Sequence, residues 1–441
     1  MRLRLLLPAM LLAAAGCDRA LTTEPVDRVP IANEIVDAAT ARAALVGAYD
    51  GLQSLSYVGL DLALLGDLPS DNARHSGTFQ YLGAIDRHTT QADNVEVRDY
   101  WVAVYDALSR VNLVLAKVPA ISGLSDTEKN QILGEAHFLR ALHFHNLVKF
   151  FGAVPMPLEP ILSAGEAAKA TRTPVAQVYD QILKDLDQAG QLITDTDQTR
   201  QASVGAVEAL RARVLLYKAD YPGALNAADA VIARGYTLAP TFTDLFSPTG
   251  SDTPEDIFRV SFTPTEYNEI GYYYLGAGRR EVQPTTDLQA AFSAGDVRKT
   301  ATVIPRNSSN LQGVKYPTTI GAEHVHVIRL AEVILIRAEA LARLGRLDEA
   351  VTAYNRIRVR AKLAPHVLGT DVSTQADVIA AIDRERRLEL ALEGDRWPDL
   401  VRTGRAAAIE KLTASNAYQT LFPIPAREVV VAPGITQNPG Y

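Results

Sequence analysis

Three glutamates near the C-terminus have the residue type and spacing that could support acid–base chemistry. Glu385, Glu389 and Glu393 recur every four residues, so a helix would place them on one face. Paired carboxylates perform glycoside hydrolysis in many enzymes. Like charges stacked on a helix need nearby cations, and the same segment offers a mixed network: Asp383, Arg386, Arg387 and Arg396. The pattern therefore favours an ion-paired structural helix, and Glu332 and Glu339 are interpreted in the same way.

The histidines and the cysteine offer little for a metal or nucleophilic site. His143 and His145 stand two residues apart in a helical pattern, so they point to different faces. His324 and His326 would share one face of a strand, but Glu323 would face the other way. The chain has one cysteine, no Gly-x-Ser-x-Gly turn and no phosphate-binding glycine loop. We expect no metal, no cofactor and no enzymatic activity.

Two loop segments have the composition of a ligand-binding surface. The first contains Asp71, Asn72, Arg74, His75, Phe79 and Tyr81. The second contains Tyr267, Asn268, the tyrosines at 272–274 (of which Tyr272 and Tyr274 are the candidates), Arg279 and Arg280. Aromatic rings cover apolar ligand faces, and amides, carboxylates or guanidinium groups bind hydroxyls. Any single residue could equally pack a loop, and a tyrosine triplet also suits a strand with Tyr272 and Tyr274 on one face.

The first residues form a targeting signal. Arg2 and Arg4 precede an apolar run from Leu5 to Ala15, which is too short to span a bilayer but fits a signal peptide. Small residues lead directly into Cys17, as in a bacterial lipobox, where cleavage before the cysteine leaves its thiol to carry lipid. An ordinary secretory signal with a chance cysteine is the alternative. We expect a signal peptide at 1–16 and a tether at 17–36.

The overall composition excludes several classes of partner. The chain has 441 residues, is 47% hydrophobic and has a formal net charge of −7, so it can bury a sizeable core but has no basic face for nucleic acid. It also lacks a polybasic patch for a membrane surface. We therefore expect a folded protein that does not bind nucleic acid and is not held to a lipid surface by charge.

Helical periodicity dominates the sequence from residue 38 onward. Between residues 135 and 151, Phe138 and Leu142 are four residues apart, and Val148 and Phe151 are three residues apart, as on one face of a helix. Gly152 then stands where a helix would end, because glycine adopts the backbone conformation of a C-terminal cap.

The helical pattern repeats. Arg-Ala pairs at 140–141, 211–212 and 337–338 each lie inside a helical segment, and the last two align at a constant offset of 126 residues into a second amphipathic segment. Such a helix–turn–helix unit of tetratricopeptide type must stack on its neighbours to bury its apolar face. We expect an all-α fold of stacked helix pairs, with loop insertions at about 59–98, 152–173 and 236–325.

Several segments resemble the SusD/RagB family of outer-membrane lipoproteins. They are 134–141 leading to 151–155, 329–340, 384–397 with Asp399 and Leu400, 421–425, and 436–441, supported by Trp101, Tyr105, Asn112 and 296–298. The matches occur in order over nearly the whole chain after the signal. The resemblance implies a SusD-like helical region at 37–235, a loop-rich insertion at 236–325 and a C-terminal region at 326–441.

The resemblance also implies a function and partners. A lipid-anchored, surface-exposed protein of the outer membrane would capture an oligosaccharide or peptide and deliver it to a SusC-like TonB-dependent transporter. The alternative is a scaffold lipoprotein facing the periplasm, of tetratricopeptide type and without a small ligand. Asp18 keeps that alternative open, because in enteric bacteria an aspartate after the lipidated cysteine is associated with retention in the inner membrane.

Overall fold

The computed structural model describes residues 35–194, 199–248 and 252–441. The predicted signal peptide, Cys17 and most of the tether lie outside the described residues. The first helices are α1 (Ala38–Asp50), α2 (Asp61–Asp67), α3 (Gln80–Asp86), α4 (Val95–Lys117), α5 (Asp126–Phe151), α6 (Ala164–Ala167) and α7 (Val175–Leu192). They are followed by α8 (Val204–Tyr217), α9 (Tyr221–Ile232), α10 (Ile270–Tyr274), α11 (Thr286–Ala291), α12 (Arg298–Thr302), α13 (Leu330–Arg343), α14 (Leu347–Arg360), α15 (Gln375–Glu389), α16 (Arg396–Arg402) and α17 (Ala426–Val431).

Side-chain caps set where the longer helices begin and end. The hydroxyl of Ser125 accepts the backbone N–H of Glu128 at 3.2 Å and starts α5. Ser203 caps α8 in the same way, through Ala206 at 3.1 Å. Gly152 ends α5 with a φ of +71°, which glycine adopts without the steric penalty of a side chain. The predicted end of this helix is confirmed.

The predicted helix pairs form the scaffold. α8 packs on α9, α13 packs on α14, and α9 packs against α13, so the two pairs continue one stack. In each Arg-Ala repeat the alanine is fully buried and lets the helices approach closely. The arginines reach an aspartate on a neighbouring helix at 2.5–2.7 Å: Arg140 to Asp185, Arg211 to Asp187, and Arg337 to Asp229. The repeat therefore encodes both close packing and a helix-to-helix ion pair.

The inserted segments add strands to the helical scaffold, which the prediction of an all-α chain did not include. The described residues contain three two-stranded antiparallel sheets. β1 (Ala73–His75) pairs with β3 (Val282–Pro284), β2 (Asp256–Val260) with β6 (Val325–Arg329), and β4 (Val303–Pro305) with β5 (Leu311–Gly313). The helical scaffold is confirmed, and the strands belong to the insertions or to their edges.

The three C-terminal glutamates lie inside a buried ion-pair cluster. Glu389 is fully buried and contacts Arg298 at 3.3 Å, Arg329 at 2.6 Å and also Arg360. Burial opposes the charge of Glu389, but Arg360, Arg329 and Arg298 together hold its pKa far below the ordinary value. The structural interpretation of Glu389 agrees with this geometry.

The partners of the glutamates differ from those expected in the same helix. Glu385 contacts Arg298 at 2.9 Å and Arg358 at 2.7 Å, and Glu393 contacts Lys315 and Arg329 at 2.8 Å. The three arginines of the expected mixed network pair with aspartates and not with these glutamates: Arg386 with Asp399, Arg387 with Asp287, and Arg396 with Asp71 and with Asp383, the fourth member of that network. Local spacing predicted the need for cations but not their origin, because the arginines come from distant segments.

Candidate ligand-binding site

The two predicted loop clusters meet in the folded chain. β1 lies in the first cluster and pairs with β3, directly after the second, with Arg74 opposite Gln283 and His75 opposite Val282. The backbone N–H of Ser76 continues the pairing by donating to the carbonyl of Glu281 at 2.8 Å. Segments about 200 residues apart in sequence therefore form one surface.

Aromatic rings from both clusters pack together beside this pairing. The rings of Phe79 and Tyr81 stack with centroids 5.1 Å apart and an interplanar angle of 19°. Tyr273 lies 6.5 Å from Phe79, and the guanidinium of Arg279 lies 4.1 Å from the Phe79 ring centroid. All three rings are half-buried. They form an aromatic cluster with a cation–π contact at its edge.

The tyrosine triplet is helical, so the strand interpretation is wrong. Residues 270–274 form the one-turn helix α10, in which Tyr272 and Tyr274 point to nearly opposite sides. Tyr272 is 36% exposed, whereas Tyr274 is only 3% exposed and belongs to the core. Tyr273, which was not a candidate, joins the aromatic cluster. Just before this helix the Asn268 side chain accepts the Ile270 N–H at 3.1 Å, and Glu269 occupies the N-cap position without a side-chain cap.

A groove with a volume of about 750 Å³ opens between the two clusters. We call it the Tyr272 groove, and its lining includes Thr78, Tyr272, Arg279, Arg280 and Arg306. It falls within the size range of small-molecule and cofactor sites in proteins. Arg306, which follows β4, was missed because nothing in its local sequence points towards the other clusters.

Glu281 connects the two loop clusters at the Tyr272 groove. Its carboxylate accepts the backbone N–H groups of Thr78 at 2.7 Å and Phe79 at 2.8 Å, and it pairs with Arg279 at 3.2 Å. Burial opposes ionisation, but these donors and Arg279 lower the pKa of Glu281 below its ordinary value. Glu281 thus fixes the loop that carries Phe79 and neutralises Arg279.

A buried acidic pair lies behind the aromatic cluster. Asp61 and Glu96 are 4% and 9% exposed. Burial and the neighbouring Glu96 carboxylate raise the pKa of Asp61 well above its ordinary value. Burial together with Glu96 also raises the pKa of the Tyr81 hydroxyl to about 12. Tyr81 therefore keeps its proton, and its hydroxyl remains available to donate a hydrogen bond.

Several candidates of the first cluster belong to the scaffold. Asn72 is fully buried, donates to Asp67 at 3.2 Å and accepts from Arg387 at 3.0 Å, so it is not free to reach a ligand. Asp71 binds Arg396 at 2.7 Å. His75 is half-buried with its ring 3.5 Å from Glu281, and Arg74 is exposed outside the lining of the groove.

The first two candidates of the second cluster lie apart from the groove. Asn268 is fully buried and its amide donates to the carbonyls of Gly321 and Glu323 at 2.9 Å, so it clamps a loop. Tyr267 is 44% exposed and lines a separate pocket of about 580 Å³ with Asp99 and Arg110. We call this the Tyr267 pocket. Sequence proximity grouped residues that the fold separates.

Two of the histidines singled out in the sequence, His143 and His326, have structural partners. His143 is buried with its ring nitrogen 2.9 Å from the hydroxyl of Tyr57, and His326 lies 2.7 Å from both Asp256 and the carbonyl of Leu245. Over residues 35–194, 199–248 and 252–441, no three His, Cys, Asp or Glu side chains are placed to hold a metal ion. In the same part of the chain, no helix has the length and apolar character needed to cross a membrane.

The fold and groove define a class of helical-repeat scaffolds whose ligand-sized surface is built from inserted loops. A family model described as "SusD family" matches residues 280–441, and one described as "Starch-binding associating with outer membrane" matches residues 37–216. Together the two matches cover most of the chain. The chain belongs to the SusD/RagB family.

Named relatives agree with this assignment. SusD-like protein P2 of Formosa agariphila is 26% identical, with 98% of each chain covered. The starch-binding protein SusD of Bacteroides thetaiotaomicron is 29% identical over 38% of this chain and 30% of its own length. Among solved structures, a laminarin-binding SusD-like protein is 25% identical with a TM-score of 0.81, covering 92% of this chain and 100% of that chain.

Proposed function

We propose that the protein binds carbohydrate in the Tyr272 groove. The observation that supports this most strongly is the meeting of two distant loop clusters around a groove of about 750 Å³ that aromatic and arginine side chains border. Membership of a family with a model described as starch-binding supports carbohydrate over peptide as the ligand. The role is binding without catalysis.

The chemistry of the groove suits a sugar chain. Tyr272 offers an exposed ring for the apolar face of a pyranose, and Tyr273 and Tyr81 lie nearby as half-buried rings. Thr78, an exposed residue of the same lining, offers a hydroxyl for sugar hydroxyl groups, whereas Gln283 of β3 is buried and its amide oxygen accepts the backbone N–H of Leu311 at 3.1 Å. Because these side chains stand on paired strands and a short helix, the surface is largely formed before ligand arrives.

The second part of the proposal concerns location and delivery. We infer that Cys17 is lipidated and holds the protein at the outer membrane, exposed to the medium. There it passes its ligand to a SusC-like TonB-dependent transporter. The support is the lipobox-like sequence before Cys17 and the outer-membrane association in the family description. The competing proposal is a periplasm-facing scaffold without a small ligand.

A glycan array followed by calorimetry tests the binding proposal. The full chain, solubilised in detergent, is screened against glycans and a peptide panel, and the best binder is titrated into variants. Combining Tyr272→Ala with Tyr273→Ala should weaken binding at least tenfold, since stacking on each ring is worth about 1 kcal/mol. Tyr267→Ala, an exposed tyrosine of the separate pocket, should leave affinity unchanged. The reverse pattern would move the site to the Tyr267 pocket, and capture of peptides alone would refute a carbohydrate ligand.

Protease shaving of intact cells tests the location. Loss of the protein from whole cells is expected for surface display, whereas protection until lysis would support the periplasmic scaffold. Affinity purification from detergent-solubilised outer membranes should recover a TonB-dependent barrel in a stable complex. Recovery of the protein without any barrel would contradict the delivery role.

A further inference from the structure

We propose that the Tyr272 groove selects an acidic oligosaccharide, whose carboxylate or sulfate groups bind Arg280 and Arg306. This inference rests on the proposed function, because it names the class of carbohydrate that the same groove takes.

The lining contains three arginines but only one carboxylate. That carboxylate, Glu281, is 2% exposed and already accepts two backbone N–H groups and the guanidinium of Arg279. Arg279 and Glu281 therefore balance each other. The charges of Arg280 and Arg306 remain, in a chain whose formal net charge is −7. The groove is thus a local cationic surface on an acidic protein.

Arg280 presents its charge from a fixed backbone position. Its own N–H donates to the carbonyl of Tyr272 at 3.3 Å, and its carbonyl accepts the hydroxyl of Ser76 at 3.2 Å. The residue has a φ of +51°, a left-handed backbone conformation that is unfavourable for residues other than glycine. Its side chain is exposed, and within the described ranges it has no carboxylate partner. The loop clusters therefore hold this guanidinium at the groove without neutralising it.

Arg306 reaches the groove across a glycine. Its aliphatic stem passes Gly276 so closely that a Cβ at position 276 would lie 2.8 Å from the arginine Cδ and 2.9 Å from Gln312 Oε1. The N–H of Arg306 donates to the carbonyl of Asn310 at 2.8 Å, which fixes the turn. Among the residues that the structure describes, this guanidinium also has no acidic partner. Gly276 thus provides the space through which Arg306 reaches the lining.

Unpaired arginines beside sugar-stacking rings match a charged glycan. The planar guanidinium forms paired hydrogen bonds with carboxylates and sulfate-type oxyanions, and these charge-assisted bonds are about twice as strong as neutral ones. A neutral glycan would use Tyr272 and the polar lining but would leave both arginines without a counter-charge. A uronic acid or a sulfate ester supplies that counter-charge.

Matched ligand pairs test the inference on the full chain in detergent. Calorimetry compares hexagalacturonate with its fully methyl-esterified form, and a κ-carrageenan hexasaccharide with its desulfated form, while hexaglutamate represents an acidic peptide. We expect at least one charged glycan to bind roughly tenfold or more tightly than its uncharged counterpart. The carboxylate pair and the sulfate pair distinguish the two sources of charge.

Variants assign the preference to the two arginines. Combining Arg280→Gln with Arg306→Gln should abolish the preference for charge and its dependence on salt. Arg427→Gln, at an exposed arginine of α17, should retain both. Equal affinity for charged and uncharged forms, no binding of either charged glycan, or tightest binding of hexaglutamate would overturn the inference. Glycan binding that depends on Tyr272 and Tyr273 but not on ligand charge would leave the proposed function intact. If the wild-type protein bound no glycan at all, both the proposed function and this inference would be refuted.

Discussion

Replacing Glu389 with glutamine should destabilise the protein by removing the central carboxylate of the buried ion-pair cluster. The side chain is 0% exposed and lies between Arg298, Arg329 and Arg360. Glutamine has nearly the same shape but no charge, so three buried guanidinium groups would lose a shared counter-ion. Breaking a buried pair in this way typically costs about 3–5 kcal/mol.

The remaining carboxylates place the expected loss at the lower end of that range. Arg298 keeps Asp296 at 2.8 Å, and Arg329 and Arg360 both keep Glu255, at 2.8 Å and 3.1 Å. We therefore expect a loss of about 3 kcal/mol. An unfolding entropy of about 2.1 cal/mol/K per residue over 441 residues gives about 0.9 kcal/mol/K, so the Tm should fall by about 3 °C.

Scanning calorimetry at pH 7 measures this shift. The control is Glu349→Gln, which breaks an ion pair between exposed side chains with Arg346 at 2.6 Å and should shift the Tm by less than about 1 °C. If Glu389→Gln and Glu349→Gln gave equal shifts, the cluster would not stabilise the C-terminal region and the reasoning would fail. Glycan binding should persist in the folded Glu389→Gln protein, because the glutamate lies outside the lining of the Tyr272 groove.

Three further changes have definite expected outcomes. Burial lowers the pKa of Lys149 to about 8, so replacing it with methionine should raise the free energy of unfolding by about 3 kcal/mol at pH 7. At pH 9 the lysine of the folded wild-type protein is largely neutral, and the gain should fall to about 2 kcal/mol. Urea unfolding that shows no gain at pH 7 would contradict this expectation. Gly271→Ala would place a Cβ 2.0 Å from the carbonyl oxygen of Thr318 and distort α10, so calorimetry should show weaker glycan binding. The control Gly47→Ala has open space around the new Cβ and should bind glycan normally. Equal affinities of the two variants would refute this steric argument. Cys17→Ala should abolish incorporation of labelled palmitate, and continued labelling would exclude Cys17 as the lipid site.

The helical scaffold could be predicted because its signals are local. Apolar periodicity and the terminal glycine at 152 act within a few residues or a few turns, and each Arg-Ala repeat marks one such local segment when the chain is compared with itself. The tyrosines at 272–274 show the limit of such reasoning. A triplet of this kind suits a strand by propensity, but in the folded chain its tertiary context makes it one turn of helix.

The candidate site was predicted as two regions but not as one surface. The pairing of β1 with β3 joins segments about 200 residues apart, and no local pattern sets that register. For the same reason, Arg306 and Tyr273 were missed, while Asn72 and Asn268 were candidates although both are buried scaffold residues. Composition pointed to two loops that the fold brings together, and only the fold could separate their exposed from their buried members.

Hydrogen exchange with and without a bound glycan tests the central claim most directly. If the two loop clusters form one binding surface, ligand should slow amide exchange in residues 76–81 and in residues 270–283 together, with little change around the Tyr267 pocket. Protection of only one segment, or protection centred on residues 99–110 beside Tyr267, would contradict the account.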